Sequence, residues 1–209
     1  MRPLSEHRER YPLPEPELLA LALALADRLA EEHALDRVHG GVRVEVVAWD
    51  GAARCELGPG PVADAGDHGD PGARERLAYL SPEQCHGAAP TLRSDMYSLG
   101  AVLFEAAAGV VPHEDDDLAA LLEDRRAGRP PGLGELPPVL SLEWEALLAI
   151  CLADEPKERF ASALDLLAEL RQLERRGGRQ RLLRRPHWPR ILVAAAALVA
   201  LVLALWALL

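Results

Sequence analysis

Residues 78–105 read AYLSPEQCHGAAPTLRSDMYSLGAVLFE, and they contain two helix signals in succession. In 81–84 (SPEQ), Ser can cap a helix, Pro is favoured at the first helical position, and Gln three residues after the cap can complete a capping box. Residues 94–108 are largely apolar and are followed by Gly109, a common helix terminator. The stretch therefore predicts a short capped helix that leads into a longer, largely apolar helix.

The composition favours a mainly helical protein with an acidic body. Ala and Leu, which are strong helix formers, dominate the 49% of residues that are hydrophobic. The net charge is −10, although residues 171–190 hold eight Arg and one Glu. An acidic body repels phosphate backbones, so nucleic acid is not an expected partner. The three cysteines, which follow no metal-ligand or disulfide spacing, are expected to be thiols: Cys55, Cys85 and Cys151.

Periodicity and turn residues predict the remaining elements. Leucines at spacings of three and four give residues 15–33 one apolar helical face: Leu18, Leu21, Leu25 and Leu29. A short β-hairpin is predicted around the turn at 50–51 (DG) by four preceding valines: Val42, Val44, Val46 and Val47. Further helices are predicted over 118–127, 142–152 and 162–175.

The order of the motifs resembles that of serine/threonine protein kinases of the bacterial, eukaryotic-like type. Five segments carry the resemblance. Residues 15–33 with 37–39 (RVH) are similar to the helix that leads into the HRD loop, and 50–51 (DG) to the turn before DFG. Residues 78–83 (AYLSPE) are similar to the APE motif, 94–100 (SDMYSLG) to the central buried helix, and 151–160 (CLADEPKERF) to the CLxxDPxxRF element. The resemblance implies a mainly α, kinase-like C-lobe with a short hairpin at the catalytic loop, and it covers about 13–173. No N-lobe is expected, because the sequence begins just before the helix that leads to that loop.

The resemblance implies structural roles for four residues. In the family, the acid at the position of Glu83 forms a buried ion pair with the arginine at the position of Arg159. The acid at the position of Asp95 accepts hydrogen bonds from the backbone of the catalytic loop, and Gly100 completes the helix signature. The alternative for Glu83 and Arg159 is that both are solvated surface residues.

The residues that transfer phosphate in the family do not recur. His39 matches the histidine of HRD, but Gly40 and Gly41 replace its Arg and Asp, so no carboxylate is available to accept the substrate proton. Arg43 falls at the position of the loop lysine, and Val46 at that of the metal-binding Asn. The Gly-rich loop and the strand lysine of the N-lobe are also expected to be absent. The sequence therefore predicts a degenerate loop with no catalytic residue.

Candidates for a metal or cofactor are weak. Glu56 falls one residue away from the position of the DFG aspartate. It could in principle hold a metal, but the usual partner ligands are missing. Residues 113–117 (HEDDD) are interpreted as a solvated acidic loop. Residues 58–76 contain no Ser, Thr or Tyr, so phosphorylation cannot order this loop. No cofactor or metal is expected, and ATP with Mg²⁺ would be needed only by an active kinase.

Residues 191–209 (ILVAAAALVALVLALWALL) carry no charge and as a helix would be about 28 Å long, close to the thickness of a bilayer core. The Arg-rich run before them predicts that the body stays on the cytoplasmic side of a single-pass membrane protein. A buried core helix is the alternative. The predicted organisation is a flexible segment 1–14, a kinase-like C-lobe 15–175, an Arg-rich linker 176–190 and a transmembrane helix 191–209.

The sequence thus predicts a membrane-anchored pseudokinase that acts as a signalling scaffold or regulator. A protein partner would dock on the face that an N-lobe would cover, which is expected to be unusually apolar. One alternative is a split serine/threonine kinase whose N-lobe comes from elsewhere. The other is an inert remnant of a decayed kinase gene.

Overall fold

The computed structural model describes residues 1–59, 73–112, 118–126, 136 and 140–183. The chain divides into two units, Met1–Gln172 and Leu173–Leu209, and the second is described only as a helix as far as Leu183. The predicted transmembrane helix 191–209 and the acidic loop 113–117 lie outside the described residues. Within the described part, no helix is both long and apolar enough to cross a bilayer.

The described part is mainly helical and has one small sheet, as predicted. Among the described residues, the α-helices are α1 (Glu15–His33), α2 (Ala73–Leu77), α3 (Pro82–Cys85), α4 (Leu92–Ala108), α5 (Leu118–Arg126), α6 (Leu142–Cys151) and α7 (Ala163–Leu183). The same part of the chain has 3₁₀ helices at Leu4–Arg10 and Pro156–Glu158. Three antiparallel strands lie in the order β1 (Arg2–Pro3), β2 (Val47–Trp49) and β3 (Cys55–Leu57).

Helix α1 has the bounds that the leucine periodicity predicts, and it packs on the central helix α4. All four leucines of its apolar face are buried, so this face forms part of the core. Nearly every side chain of α4 is buried, as expected for a largely apolar helix. The unit is therefore built around α4, and no disulfide links its three cysteines.

The predicted hairpin is present, but its strands are shorter than the valine pattern indicates. Strand β2 pairs with β3, with Val47 opposite Leu57. The turn is longer than two residues because Asp50 organises it: its Oδ1 accepts hydrogen bonds from the N–H groups of Ala52 (2.8 Å) and Arg54 (3.1 Å). These bonds hold the pKa of Asp50 below its usual value.

Residues 1–14 differ from the flexible segment that the sequence predicts. Strand β1 pairs with β2, and the Ser5 N–H donates to the carbonyl of Val44 (3.2 Å). Leu4 is fully buried, and the Leu13 N–H donates to the carbonyl of Ala106 in α4 (2.7 Å). The prediction was wrong because two leucines, spaced among polar and proline residues, bury themselves against distant parts of the chain.

The capping box predicted before α3 is present. The N–H and the hydroxyl of Ser81 both donate to Oε1 of Gln84, at 3.3 and 3.0 Å. Helix α4 begins at Leu92, two residues before the predicted start, because Thr91 is its N-cap. Thr91 and Ser94 satisfy each other's backbone N–H through their hydroxyls, at 3.2 and 2.6 Å. Gly109 ends α4 with a φ of 84°, as predicted.

Gly100 lies where α4 packs on α6, and a side chain there would not fit. A Cβ on Gly100 would lie 2.6 Å from Cβ of Cys151 and 3.3 Å from the side chain of Leu152. Gly100→Ala is therefore expected to lower the free energy of unfolding by about 1–3 kcal/mol, the usual cost of overpacking. Urea unfolding of the full chain in mild detergent measures this. The matched control is Gly177→Ala in α7, where no atom of the described residues lies within 4 Å of an added Cβ, and equal losses in both variants would contradict the packing argument.

Candidate functional site

Arg159 uses all five of its N–H donors. Its Nε donates to the carbonyl of Ala153 (2.7 Å), and its two terminal nitrogens donate to the two carboxylate oxygens of Glu83 (2.7 and 2.8 Å). The remaining donors reach the carbonyls of Arg93 (3.2 Å) and Asp154 (2.8 Å). The arginine therefore joins the start of α3, the start of α4 and the loop after α6.

This ion pair is buried, as the resemblance implies. The side chain of Arg159 is 0% exposed and that of Glu83 is 18% exposed, so the solvated alternative does not describe them. The Tyr97 ring lies below the guanidinium, 4.9 Å from Cζ to the ring centroid. Burial alone would raise the pKa of Glu83, but the hydrogen bonds and charge of Arg159 outweigh it and hold this pKa below its usual value.

Asp95 is buried at the start of α4 and holds the loop that precedes the hairpin. Its two carboxylate oxygens accept the backbone N–H groups of His39 and Gly40, each at 2.8 Å. Nε2 of His33 also contacts this carboxylate, at 3.1 Å. Because Nδ1 of His33 accepts the N–H of Ala163 (3.2 Å), Nε2 must carry the proton and donate to Asp95. Asp95 thus has the backbone contacts that the resemblance implies.

The side chain of His39 also stabilises the degenerate loop. The His39 ring contacts the carbonyl of Gly58 through Nε2 (2.9 Å) and accepts the Gly41 N–H at Nδ1 (3.3 Å). Gly40 has a φ of 73°, and an added Cβ would lie 3.0 Å from Cγ of Pro90. An arginine at this position, as in HRD, would therefore be strained by both the backbone conformation and the space.

Two of the other predicted residues, Val46 and Glu56, line a depression of about 410 Å³ beside the hairpin. Arg43 is not part of this lining; its guanidinium donates to the Gly41 carbonyl (3.3 Å) and lies 3.6 Å from Glu45. The depression is lined by Pro3, Glu45, Val46, Ala48, Glu56, Leu57, Gly58 and Pro59. Among the described residues, no three His, Cys, Asp or Glu side chains come together as metal ligands.

A polar network that the sequence analysis missed joins the exposed Arg8, near the start of the chain, to the buried Glu105 of α4. Nε of Arg8 donates to Oε1 of Glu105 (2.7 Å), and a terminal nitrogen donates to the Tyr79 hydroxyl (3.1 Å). That hydroxyl in turn donates to Oε2 of Glu105. Glu45 lies 3.4 Å from the same guanidinium. The one signal in the sequence was Glu105 itself, a lone acid in the apolar run 96–107, which predicts a buried partner.

The charges of this network stabilise one another. Burial would lower the pKa of Arg8, but the hydrogen bond and charge of Glu105 outweigh it and raise this pKa above the usual value. Burial and the nearby Glu105 also raise the pKa of Tyr79, so its phenol stays protonated and can donate. The network is therefore a fixed structural contact at neutral pH.

Comparisons with known proteins agree with the motif order. No family model matches the chain. The chain is 36% identical over 165 residues to the probable serine/threonine-protein kinase PkwA of Thermomonospora curvata, which covers 78% of this chain and 21% of that protein. It is 25% identical over 179 residues to the serine/threonine-protein kinase pkn3 of Myxococcus xanthus, a match that covers 79% of this chain and 33% of that protein. It is 30% identical over 93 residues to the serine/threonine-protein kinase PrkC of Bacillus subtilis, a match that covers 44% of this chain and 14% of that protein.

The chain is a relative of the bacterial serine/threonine protein kinases, and the family resemblance is confirmed. The matches span between 14% and 33% of these three relatives' own lengths. This partial coverage fits the C-lobe that the motif order indicates.

Proposed function

We propose that the chain is a pseudokinase-like scaffold at the membrane, which binds a protein partner and does not transfer phosphate by itself. The observation that carries this proposal is a contrast within one loop. Asp95 holds the backbone of His39 and Gly40 in place, while the side chains that would act on a substrate are replaced by Gly40 and Gly41. The backbone contacts of the loop are therefore retained, whereas the side chains that phosphoryl transfer needs are absent from it.

The chemical argument follows from how phosphate is transferred. That reaction depends on positioned charges, namely a carboxylate near the attacking hydroxyl and metal ligands on the phosphates. Gly41 offers no carboxylate, and Val46 offers no metal ligand. Glu56 lies on the hairpin and, like Glu45, lines the depression, so it is the carboxylate to remove if any residual activity is found.

The proposed partner surface is the depression beside the hairpin. Its lining combines the apolar residues Val46, Ala48 and Leu57 with the carboxylates Glu45 and Glu56. The large apolar side chains that are most exposed in the described part lie outside this lining: Met1, Leu35, Val38, Val110, Leu142, Ile150 and Leu164. The proposed surface thus combines apolar and acidic groups, and it suits a partner segment with both basic and apolar residues.

The membrane part of the proposal depends on residues 191–209 and on the Arg-rich linker 176–190. Arginines beside a transmembrane helix favour the cytoplasmic side and attract anionic lipid headgroups. The body would then lie at the inner face of the membrane. Retention of the full chain in the pellet after alkaline extraction of membranes supports this part, and release into the supernatant contradicts it.

A phosphotransfer assay on the full chain tests the lack of activity. With radiolabelled ATP and Mg²⁺ or Mn²⁺, we expect no label on the chain or on an added protein substrate, because the loop lacks its base and metal ligand. Label that disappears in Glu56→Gln, but persists in the exposed control Glu143→Gln, would overturn the proposal in favour of a split kinase.

Site-specific photo-crosslinking tests the partner surface. A photoreactive residue replaces Glu56 in the depression, and in the control it replaces Leu164, which is 64% exposed on α7. In cells of the source organism, we expect one discrete protein adduct from position 56 and none from position 164. Adducts from both positions, or from neither, would contradict docking at this surface. Non-cooperative unfolding of the chain would instead favour a decayed remnant.

A further inference from the structure

His7 lies on the Leu4–Arg10 helix with its imidazole against Trp49 of β2. The ring centroids are 5.6 Å apart, and the planes are tilted by 48°. Both ring nitrogens are shielded from solvent, and neither has a hydrogen-bond partner among the described residues. The imidazole is therefore held by packing alone. A proton added to it would be buried without an acceptor.

The charged groups around His7 come from three parts of the fold. They are Arg2, Glu6, Glu9 and Arg10 of its own segment, Glu17 of α1, and Asp50 at the turn after β2. Burial lowers the pKa of His7 most, Arg10 and Arg2 lower it further, and Glu6 and Glu17 oppose them. Glu17 is already paired with Arg10 (2.5 Å). The folded surroundings thus favour neutral His7.

We infer that the Arg2–Arg10 segment is an acid-sensitive cover, which docks on the hairpin while His7 is neutral and loosens when His7 gains a proton. Because the folded state disfavours the proton, docking is strongest above the ordinary pKa of histidine, about 6.5, and weakens as the pH falls below it.

Loosening of the cover would change what the hairpin presents. Strand β1 pairs with β2 at Arg2 and Pro3, so release would leave the edge of β2 unpaired. It would also expose Leu4 and Trp49, which are 0% and 1% exposed when the segment is docked. Pro3 lines the depression beside the hairpin, so that depression would widen as well. The inference does not depend on the proposed function.

Hydrogen exchange on the full chain in mild detergent, read by mass spectrometry, tests the cover. Exchange is compared at about pH 7.5 and about pH 5, on either side of the ordinary histidine pKa, after correction for intrinsic rates. We expect peptides over residues 2–11 and 47–49 to lose protection at the lower pH. Peptides of α4 should keep their protection from exchange at the lower pH. Because the Asp95 carboxylate of α4 contacts the His33 ring, these peptides report on that buried histidine of the body.

Two variants assign the effect to His7. His7→Phe keeps the contact with Trp49 and cannot titrate, and His7→Gln keeps polar atoms without a titrating ring, so both are expected to abolish the pH effect. The control His86→Gln removes a histidine that is exposed and bonded to the Pro82 carbonyl (2.9 Å), and it should keep the effect. Equal protection at both pH values, a loss that persists in both His7 variants, or a parallel loss in α4 would each overturn the inference.

Discussion

Arg159→Met is expected to lower the free energy of unfolding by about 3–5 kcal/mol, because it leaves the partly buried carboxylate of Glu83 without its partner. Three carbonyls lose their donor at the same time: those of Arg93, Ala153 and Asp154. Methionine fills much of the volume, so the loss reports on charge and hydrogen bonding more than on packing. Urea unfolding of the full chain in mild detergent measures it.

A double-mutant cycle separates the interaction energy of Glu83 with Arg159 from the contribution of the other contacts of Arg159. The Glu83→Met and Arg159→Met double variant should recover only part of the loss, because the three carbonyls stay unsatisfied in it. The exposed pair of Lys157 and Glu155, 3.6 Å apart, is the control, and Lys157→Met should change stability by about 0.5 kcal/mol or less. A cost for Arg159→Met no larger than the control's would disprove the structural role.

The same pair predicts a pH dependence. Since the pKa of Glu83 is lower in the folded chain than its usual value, the ion pair stabilises the fold fully at neutral pH. This contribution is lost as the pH falls below the usual range of a glutamate and through the lowered pKa. The stability difference between the wild-type chain and Arg159→Met should therefore shrink on acidification. A difference that stays constant down to acid unfolding would contradict the assignment.

Asp95→Ala is expected to cost about 3–5 kcal/mol, because two buried N–H groups, of His39 and Gly40, lose a charged acceptor. Asp95→Asn should cost less, since its amide keeps one acceptor oxygen for the two N–H groups. Urea unfolding gives the cost, and hydrogen exchange over residues 37–41 shows whether the loop loosens first.

The control for Asp95 is Asp27→Asn, which removes an exposed carboxylate 3.5 Å from Arg171 and should change stability by about 0.5 kcal/mol or less. If Asp95→Ala behaves like this control, the carboxylate does not hold the loop. If stability falls while exchange over 37–41 stays the same, the carboxylate acts through His33 and α7 instead.

Local signals predicted the elements whose causes are local. The leucine spacing fixed the bounds of α1, and 81–84 (SPEQ) fixed the start of α3, since capping involves residues three apart. The start of α4 was placed two residues late because Thr91 and Ser94 make the box with two hydroxyls. In the usual capping box, the residue three positions after the cap is Glu or Gln. Ser94 stands there instead, so the sequence pattern did not indicate a capping box.

Contacts between distant segments were predicted only where the family resemblance supplied them. The pairing of Glu83 with Arg159 across 76 residues came from motif order and could not come from spacing. The bond between Arg8 and Glu105 had no motif, so the segment around Arg8 was expected to be flexible. The closeness of Gly100 to Cys151 likewise depends on how two helices cross, which no single-residue preference encodes.

The contact between Arg8 and Glu105 also sets an order of events at the ribosome. The two residues are 97 positions apart, so at about 5–20 residues per second Arg8 is made roughly 5–20 s before its partner exists. Trp49 and Tyr79 arrive in between, and the pairing of β1 with β2 can form before the ion pair. The segment that is synthesised early therefore completes its native contacts late. Until Glu105 emerges from the ribosome, Leu4 and a short strand edge of the nascent chain are open to contact. Nascent chains on neighbouring ribosomes of the same mRNA could pair with that edge.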